Sequence, residues 1–193
     1  VASYLSPRPA EYGDRAHTYS EPLLLLEASC AKANCTHVVL TEEGSVEAIP
    51  SQIDRSRVYA MSGTDKLPLM QAIIAGQMTY LRDEGVPDEG LILVGADCLV
   101  MRDPRPVFEN ADWDVGVTVG VYSPGALNNG AVYIPPLHTD RALAFYRQAF
   151  SDCPAEWGGD QWAVRSACMP LLKPPATADR NGVAVRFFDM DTH

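Results

Sequence analysis

Apolar residues recur along the chain in two rhythms, short unbroken runs and stretches spaced three or four apart, and the two alternate from end to end. The unbroken runs predict buried strands: 1–5 as the end of a first strand, then 36–40, 57–61, 91–94, 113–122, 130–134 and 182–188. The helical rhythm predicts helices over 20–35, 64–82, 139–150 and 160–168. The second is the clearest. Leu69, Met70, Ile73, Ile74, Met78 and Leu81 share one face, Thr64 or Asp65 is placed to cap it, Pro68 falls in its first turn, and Gly85 with Pro87 ends it. Pro22 is likewise tolerated in the first turn of the helix that Tyr19 or Ser20 opens. Leu91-Ile92-Leu93-Val94 is apolar at every position, the mark of a strand covered on both faces. Strands alternating with helices predict an α/β fold, Rossmann-like, with a central, mostly parallel mixed sheet flanked by helices. No repeat and no linker divides residues 1–193, so they are expected to form one domain.

Composition narrows the possibilities only slightly. Hydrophobic residues make up 47% and charged residues 21% of the 193, the balance of a globular protein. The densest apolar run, 23–26, is four leucines, far short of a membrane span. The chain opens at Val1 rather than Met, which leaves room for a segment upstream. A net charge of −10 argues against a surface built to neutralise nucleic-acid phosphates. Cys30, Cys35, Cys98, Cys153 and Cys168 form no CxxC pair and no metal-ligand spacing, which reads as reduced thiols in a cytoplasmic protein.

Chemistry is expected beyond the carboxyl ends of the strands, where open α/β sheets bind ligands. After 91–94 come Gly95, Ala96 and Asp97: two small residues that permit close approach, then a carboxylate. Asp97 is either a hard oxygen donor for Mg2+ or Mn2+ bridging to a diphosphate, or the cap of a turn. Asn128 and Asn129 precede Gly130, a tight-turn signal that leaves two amides free to donate to and accept from sugar hydroxyls. Asp160 follows two glycines at a helix start, where it is an N-cap, a ligand contact or both. Lys66 reads as a solvated lysine or a phosphate contact in the first turn of its helix. Asp112 and Asp114 read as surface residues at a strand edge.

The segment from Leu91 to Pro104 resembles the Asp-x-Asp segment of GT-A glycosyltransferases, the family-8-like and related nucleotide-diphospho-sugar transferases. Asp97 falls on the second Asp, and Gly95 replaces the first. Asn128-Asn129-Gly130 is similar to the family's Asn-Ser-Gly strand, and Trp157-Gly158-Gly159-Asp160-Gln161 to its Asp-Gln helix start; all three keep the family order. The resemblance implies a GT-A domain that takes a nucleoside diphosphate sugar with Mn2+ or Mg2+ and passes the sugar to an acceptor hydroxyl on a saccharide, a protein or a modified nucleobase in DNA. It implies Asp160, Asn129 and Gln161 around the sugar. It places Asp97, Ala96, Gly95, Lys66, Asn128 and Tyr12 around the donor, with Tyr12 or Tyr19 from the loop 6–19 against the base. A second metal contact is implied from Asp191 and His193 in the Asp189-x-Asp191-x-His193 ending, which otherwise reads as a frayed end. Two other functions fit a related layout. A nucleotidyltransferase would want a glycine-rich basic loop after the first strand, where only Gly13 is glycine. A non-catalytic nucleotide-sugar binder would explain Gly95.

Overall fold

The computed structural model describes residues 1–6, 20–119, 127–156 and 158–189, and of 128 and 129 the backbone alone. Leu91–Gly95 forms strand β4 near the middle of an eight-stranded sheet, with β1 (Ala2–Tyr4), β2 (Val38–Glu42), β3 (Val58–Met61), β5 (Val115–Val119), β6 (Leu127–Ile134), β7 (Ala176–Arg180) and β8 (Val183–Asp189). The order is β3-β2-β1-β4-β6-β5-β8-β7. The ladders β3–β2, β2–β1, β1–β4 and β5–β8 are parallel, and the three that involve β6 or β7 are antiparallel. The fold is α/β with a mixed sheet flanked by helices α1 (Ser20–Lys32), α2 (Leu69–Glu84), α3 (Thr139–Ser151) and α4 (Gly159–Cys168).

The all-apolar reading of β4 holds for a visible reason. Leu91 and Leu93 point into the main core, with Val115, Val132, Ile134 and Phe187 of neighbouring strands and the buried faces of α2, α3 and α4. Ile92 and Val94 point the other way, into a second cluster with Leu26 and Cys30 of α1, Trp113, Tyr133 and Phe188. Each face needs its own apolar residue, so no position can be polar.

Several boundaries move, each under a local constraint. α1 stops at Lys32 rather than 35, because Asn34 turns left-handed (φ 58). The Cys35 N–H then donates to Cys30 O at 2.9 Å and the Asn34 N–H to Ala31 O at 3.1 Å, which satisfies the last carbonyls as a Schellman motif does. β2 runs on through Thr41 and Glu42, whose polar groups find partners in the fold: Thr41 Oγ1 donates to Leu5 O at 2.8 Å, and Tyr4 Oη donates to Glu42 Oε1 at 3.1 Å.

The helix expected from Thr64 starts at Leu69. Proline disfavours a helical residue before it, and Leu67 is extended (φ −91, ψ 152) ahead of Pro68. Thr64–Lys66 is therefore a separate 3-10 turn, capped by Gly63, and neither Thr64 nor Asp65 caps α2. β7 went unread in the sequence, although Asn181-Gly182 between it and β8 is a strong hairpin signal: both residues have positive φ (55 and 81). Among the described residues no helix is long and apolar enough to cross a membrane.

Candidate functional site

β2 and β3 lie to one side of β1, and β4 lies to the other. The chain thus reverses its direction of travel across the sheet between β1 and β4, and a crevice opens where the connections leave on opposite sides. A cavity of about 360 Å³ occupies that crevice. Tyr4, Leu5 and Ser6 enter it from the end of β1, Val94 to Cys98 from the end of β4, and Gly130 from β6. Leu69, Met70, Ile73 and Gln77 of α2 form one wall, and Gly158, Asp160 and Gln161 at the start of α4 form another. Among the described residues, no lysine or arginine lines the cavity.

Asp97 lies on a β-turn closed by the Cys98 N–H donating to Gly95 O at 3.1 Å. The turn is held from both sides: Cys98 Sγ donates to Gly130 O at 3.1 Å, and the Val100 N–H donates to Ser29 Oγ on α1 at 3.0 Å. Burial raises the Cys98 thiol pKa, with the neighbouring Asp97 charge adding to the effect. The Asp97 side chain is exposed, and no described residue hydrogen-bonds its carboxylate. It lies across the space above Gly95, where a Cβ would come within 2.7 Å of Asp97 Oδ1. The small residue at 95 leaves that space open to the carboxylate of 97, and without a side-chain hydrogen bond to the turn the turn-cap reading loses its support.

Asp160 is not an N-cap. Gly158 holds that position in the left-handed conformation (φ 80), which only glycine adopts freely. Gly159 opens the helix so close to the preceding chain that a Cβ there would lie 2.1 Å from Pro154 O. Asp160 is the next residue, half-buried, with its face on the cavity, and Gln161 beside it is exposed at the edge. The helix's first N–H groups and positive dipole end lie at the same wall.

The remaining site residues divide. Ala96 is buried and packs with Leu5 and Leu23 as it lines the cavity. Lys66 lies exposed on the 3-10 turn before α2 and is not among the lining residues. The expected turn at Asn129-Gly130 is instead part of β6, which begins at Leu127. Pairing jumps there: Val117 faces Val132 while Thr118 faces Asn128, so 129–131 bulge away from β5 beside the end of β4. Bulges of this kind re-aim backbone next to sites. Tyr12, Tyr19, Asp191 and His193 fall outside the described residues. Asp114 is no surface residue: its carboxylate accepts from Ala184 N at 2.7 Å and meets His138 Nδ1 at 2.7 Å, tying β5 to β8 and α3.

Tyr4 and Gln77 were not singled out in the sequence as cavity residues. Gln77 left a trace, a polar residue on the otherwise apolar face of α2. A Ser3–His37–Glu27 chain, with Ser3 Oγ 2.9 Å from His37 Nε2 and His37 Nδ1 2.8 Å from Glu27 Oε2, has the bonding order of a hydrolase triad. Ser3 and His37 are each 1% exposed and do not line the β1–β4 cavity, so the hydrogen-bonded chain ties β1, β2 and α1 together inside the fold. The chain matches no family model and no curated protein.

Proposed function

We propose that the protein is a nucleotide-sugar-dependent glycosyltransferase that draws its donor into the β1–β4 cavity. The observation that carries this reading is a cavity at the topological switch point whose charged lining is two carboxylates, Asp97 and Asp160, on separate well-anchored elements. Two carboxylates repel a diphosphate, and a cation that comes with it screens that repulsion. Mg2+ and Mn2+ held together with phosphates need only one or two protein carboxylates. Among the described residues no group of three His, Cys, Asp or Glu is arranged to cage a metal. Asp97, exposed and unengaged, suits a cation delivered with the diphosphate, and that cation would supply charge screening for the leaving group. Asp160 would then hold the sugar, with Gln161 and Gly130 at the edge of the same space. The order of the three motifs along the chain, and their resemblance to GT-A enzymes, support the same assignment.

Thermal-shift measurement across a panel of nucleoside diphosphates and sugar nucleotides, with Mn2+ and then with chelator, tests the reading. At least one sugar nucleotide is expected to raise Tm, and more with Mn2+. Equal stabilisation in chelator would remove the cation, and no stabilisation by any member would remove the donor. A binder without turnover is the reading favoured by Gly95, since the resembled first carboxylate is missing. Release of free nucleoside diphosphate from the bound donor separates the two.

A further inference from the structure

α2 presents an aliphatic wall to the cavity. Leu69 and Ile73 stand one turn apart on one helix face, both half-buried, with Met70 beside them. Gln77, one turn further on, is only 7% exposed and its Oε1 is fully buried, so it offers the cavity little polar surface. This wall stands against the start of α4. A Cβ on Gly159 would lie 3.3 Å from Met70 Cβ, and Gln71 Nε2 donates to Cys153 O at 2.9 Å, which fixes α2 to the turn that leads into α4. Asp160, the residue after Gly159, lines the same cavity. The cavity is therefore two-sided at this end, with a carboxylate on one wall and hydrocarbon on the other.

We propose that Leu69 and Ile73 are specificity residues that select a donor whose sugar carries a methyl group, as an N-acetylhexosamine or a 6-deoxyhexose does, over the hexose without one. The chemistry of the two walls selects that ligand. A carboxylate accepts at more than one lone pair, so a contact of Asp160 within the fold leaves room for a sugar hydroxyl. A ring held there turns its remaining edge to Leu69 and Ile73. A hydroxyl on that edge leaves water and finds no partner on an aliphatic wall, which is a cost. A methyl group on the same edge takes apolar surface out of water on both sides of the contact and is favoured. Phosphate oxygens gain nothing from hydrocarbon, so the diphosphate stays at the rim with Asp97. The inference rests on the sugar-nucleotide reading of this cavity and names the class of sugar within it.

The test is calorimetry in Mn2+ on wild type, on Ile73→Thr and Leu69→Asn, which put a polar group on the wall at similar size, and on Ile73→Val, which keeps it aliphatic. The probes are UDP, GDP and two matched sets: UDP-glucose with UDP-N-acetylglucosamine and UDP-6-deoxyglucose, and GDP-mannose with GDP-6-deoxymannose. In at least one set a methyl-bearing donor is expected to bind wild type about tenfold tighter than its parent hexose donor. That ratio should fall below about threefold in Ile73→Thr and Leu69→Asn and survive in Ile73→Val. UDP and GDP themselves should stay within about twofold of wild type in every variant. The ligand-free Tm confirms that each variant is folded, and Ile73→Ala, which only trims the wall, replaces a polar variant that is not. A hexose donor that binds wild type as tightly as its methyl-bearing partners overturns the inference while the glycosyltransferase reading stands. So does a ratio that both polar variants leave unchanged, since the selectivity would then lie on another wall. Loss of UDP or GDP affinity in Ile73→Thr also overturns it, because the wall would hold the base. Failure of every probe to bind wild type removes the reading and the inference together.

Discussion

Asp97 stands exposed at the cavity rim with its carboxylate unengaged, whereas Asp160 is half-buried in the first turn of α4. Their environments assign different variants different losses. Asp97→Asn exchanges a hard anionic donor for a neutral amide, so it should weaken nucleoside diphosphate binding in Mn2+ and leave binding in chelator unchanged. Asp160→Asn should keep nucleoside diphosphate affinity and lower turnover by about 10²-fold, the size of loss when a transition-state contact is removed. Calorimetry beside a donor-consumption assay separates them; turnover equal to wild type in Asp160→Asn would reduce Asp160 to a helix-end residue. A second orphaned group lies outside the site. The Tyr146 hydroxyl is fully buried with no hydrogen-bond partner, and its ionisation is strongly suppressed by burial. Tyr146→Phe removes a polar group that the core does not satisfy and should stabilise the protein by about 1 kcal/mol. A denaturant midpoint below wild type would show that the hydroxyl has a partner after all.

At the scale of elements, the start of α4 is governed by contacts that neither glycine signals by its own propensity. Alanine at a helix's first turn is ordinarily better than glycine by about 1 kcal/mol. At Gly159 that gain is overwhelmed, because the new Cβ would lie 2.1 Å from Pro154 O and backbone must move to relieve it. Gly159→Ala should destabilise by roughly 3 kcal/mol, at the upper end of overpacking costs. Chemical denaturation checks this; a stabilised Gly159→Ala would mean that the 154–159 turn yields easily. Gly85, Pro87 and the Asn181-Gly182 pair act as their types suggest. Pro68 does not, because its effect on Leu67 splits a continuous apolar pattern into a 3-10 turn and a helix.

Across the whole molecule, the buried Ser3–His37–Glu27 chain couples stability to pH. Burial pushes the His37 imidazole below its ordinary value of 6.5, against the opposing pull of the Glu27 hydrogen bond and charge. The unfolded chain therefore takes up this proton at a higher pH than the folded one. Stability from neutral His37 is fully present above about pH 6.5 and is lost as pH falls from there toward the folded value. The urea midpoint is expected to drop through that window, and His37→Asn, less stable at pH 8, should show a shallower drop. An identical slope in both would place the acid sensitivity elsewhere, among the 25 acidic residues and the other three histidines.

The sequence by itself determined the α/β alternation, the central place of 91–94 and the position of Asp97 at its carboxyl edge. These are local properties: an all-apolar run needs two covered faces, and glycine and proline mark where regular structure stops. Tertiary structure decided which strand ends meet. Tyr4 from β1, Asp97 after β4, Gln77 on α2 and Asp160 on α4 are far apart in the chain, and only the sheet order brings them around one cavity. Register was also beyond local reading: the 129–131 bulge depends on how β6 pairs with β4 and β5 at once. The same holds for the buried polar residues Thr41, Glu42 and His37, whose partners lie on other elements. A polar residue in a strand or on an apolar helix face is a cost in sequence terms, and only long-range contact shows whether the fold satisfies it or, as with Gln77 Oε1, leaves it unpaired.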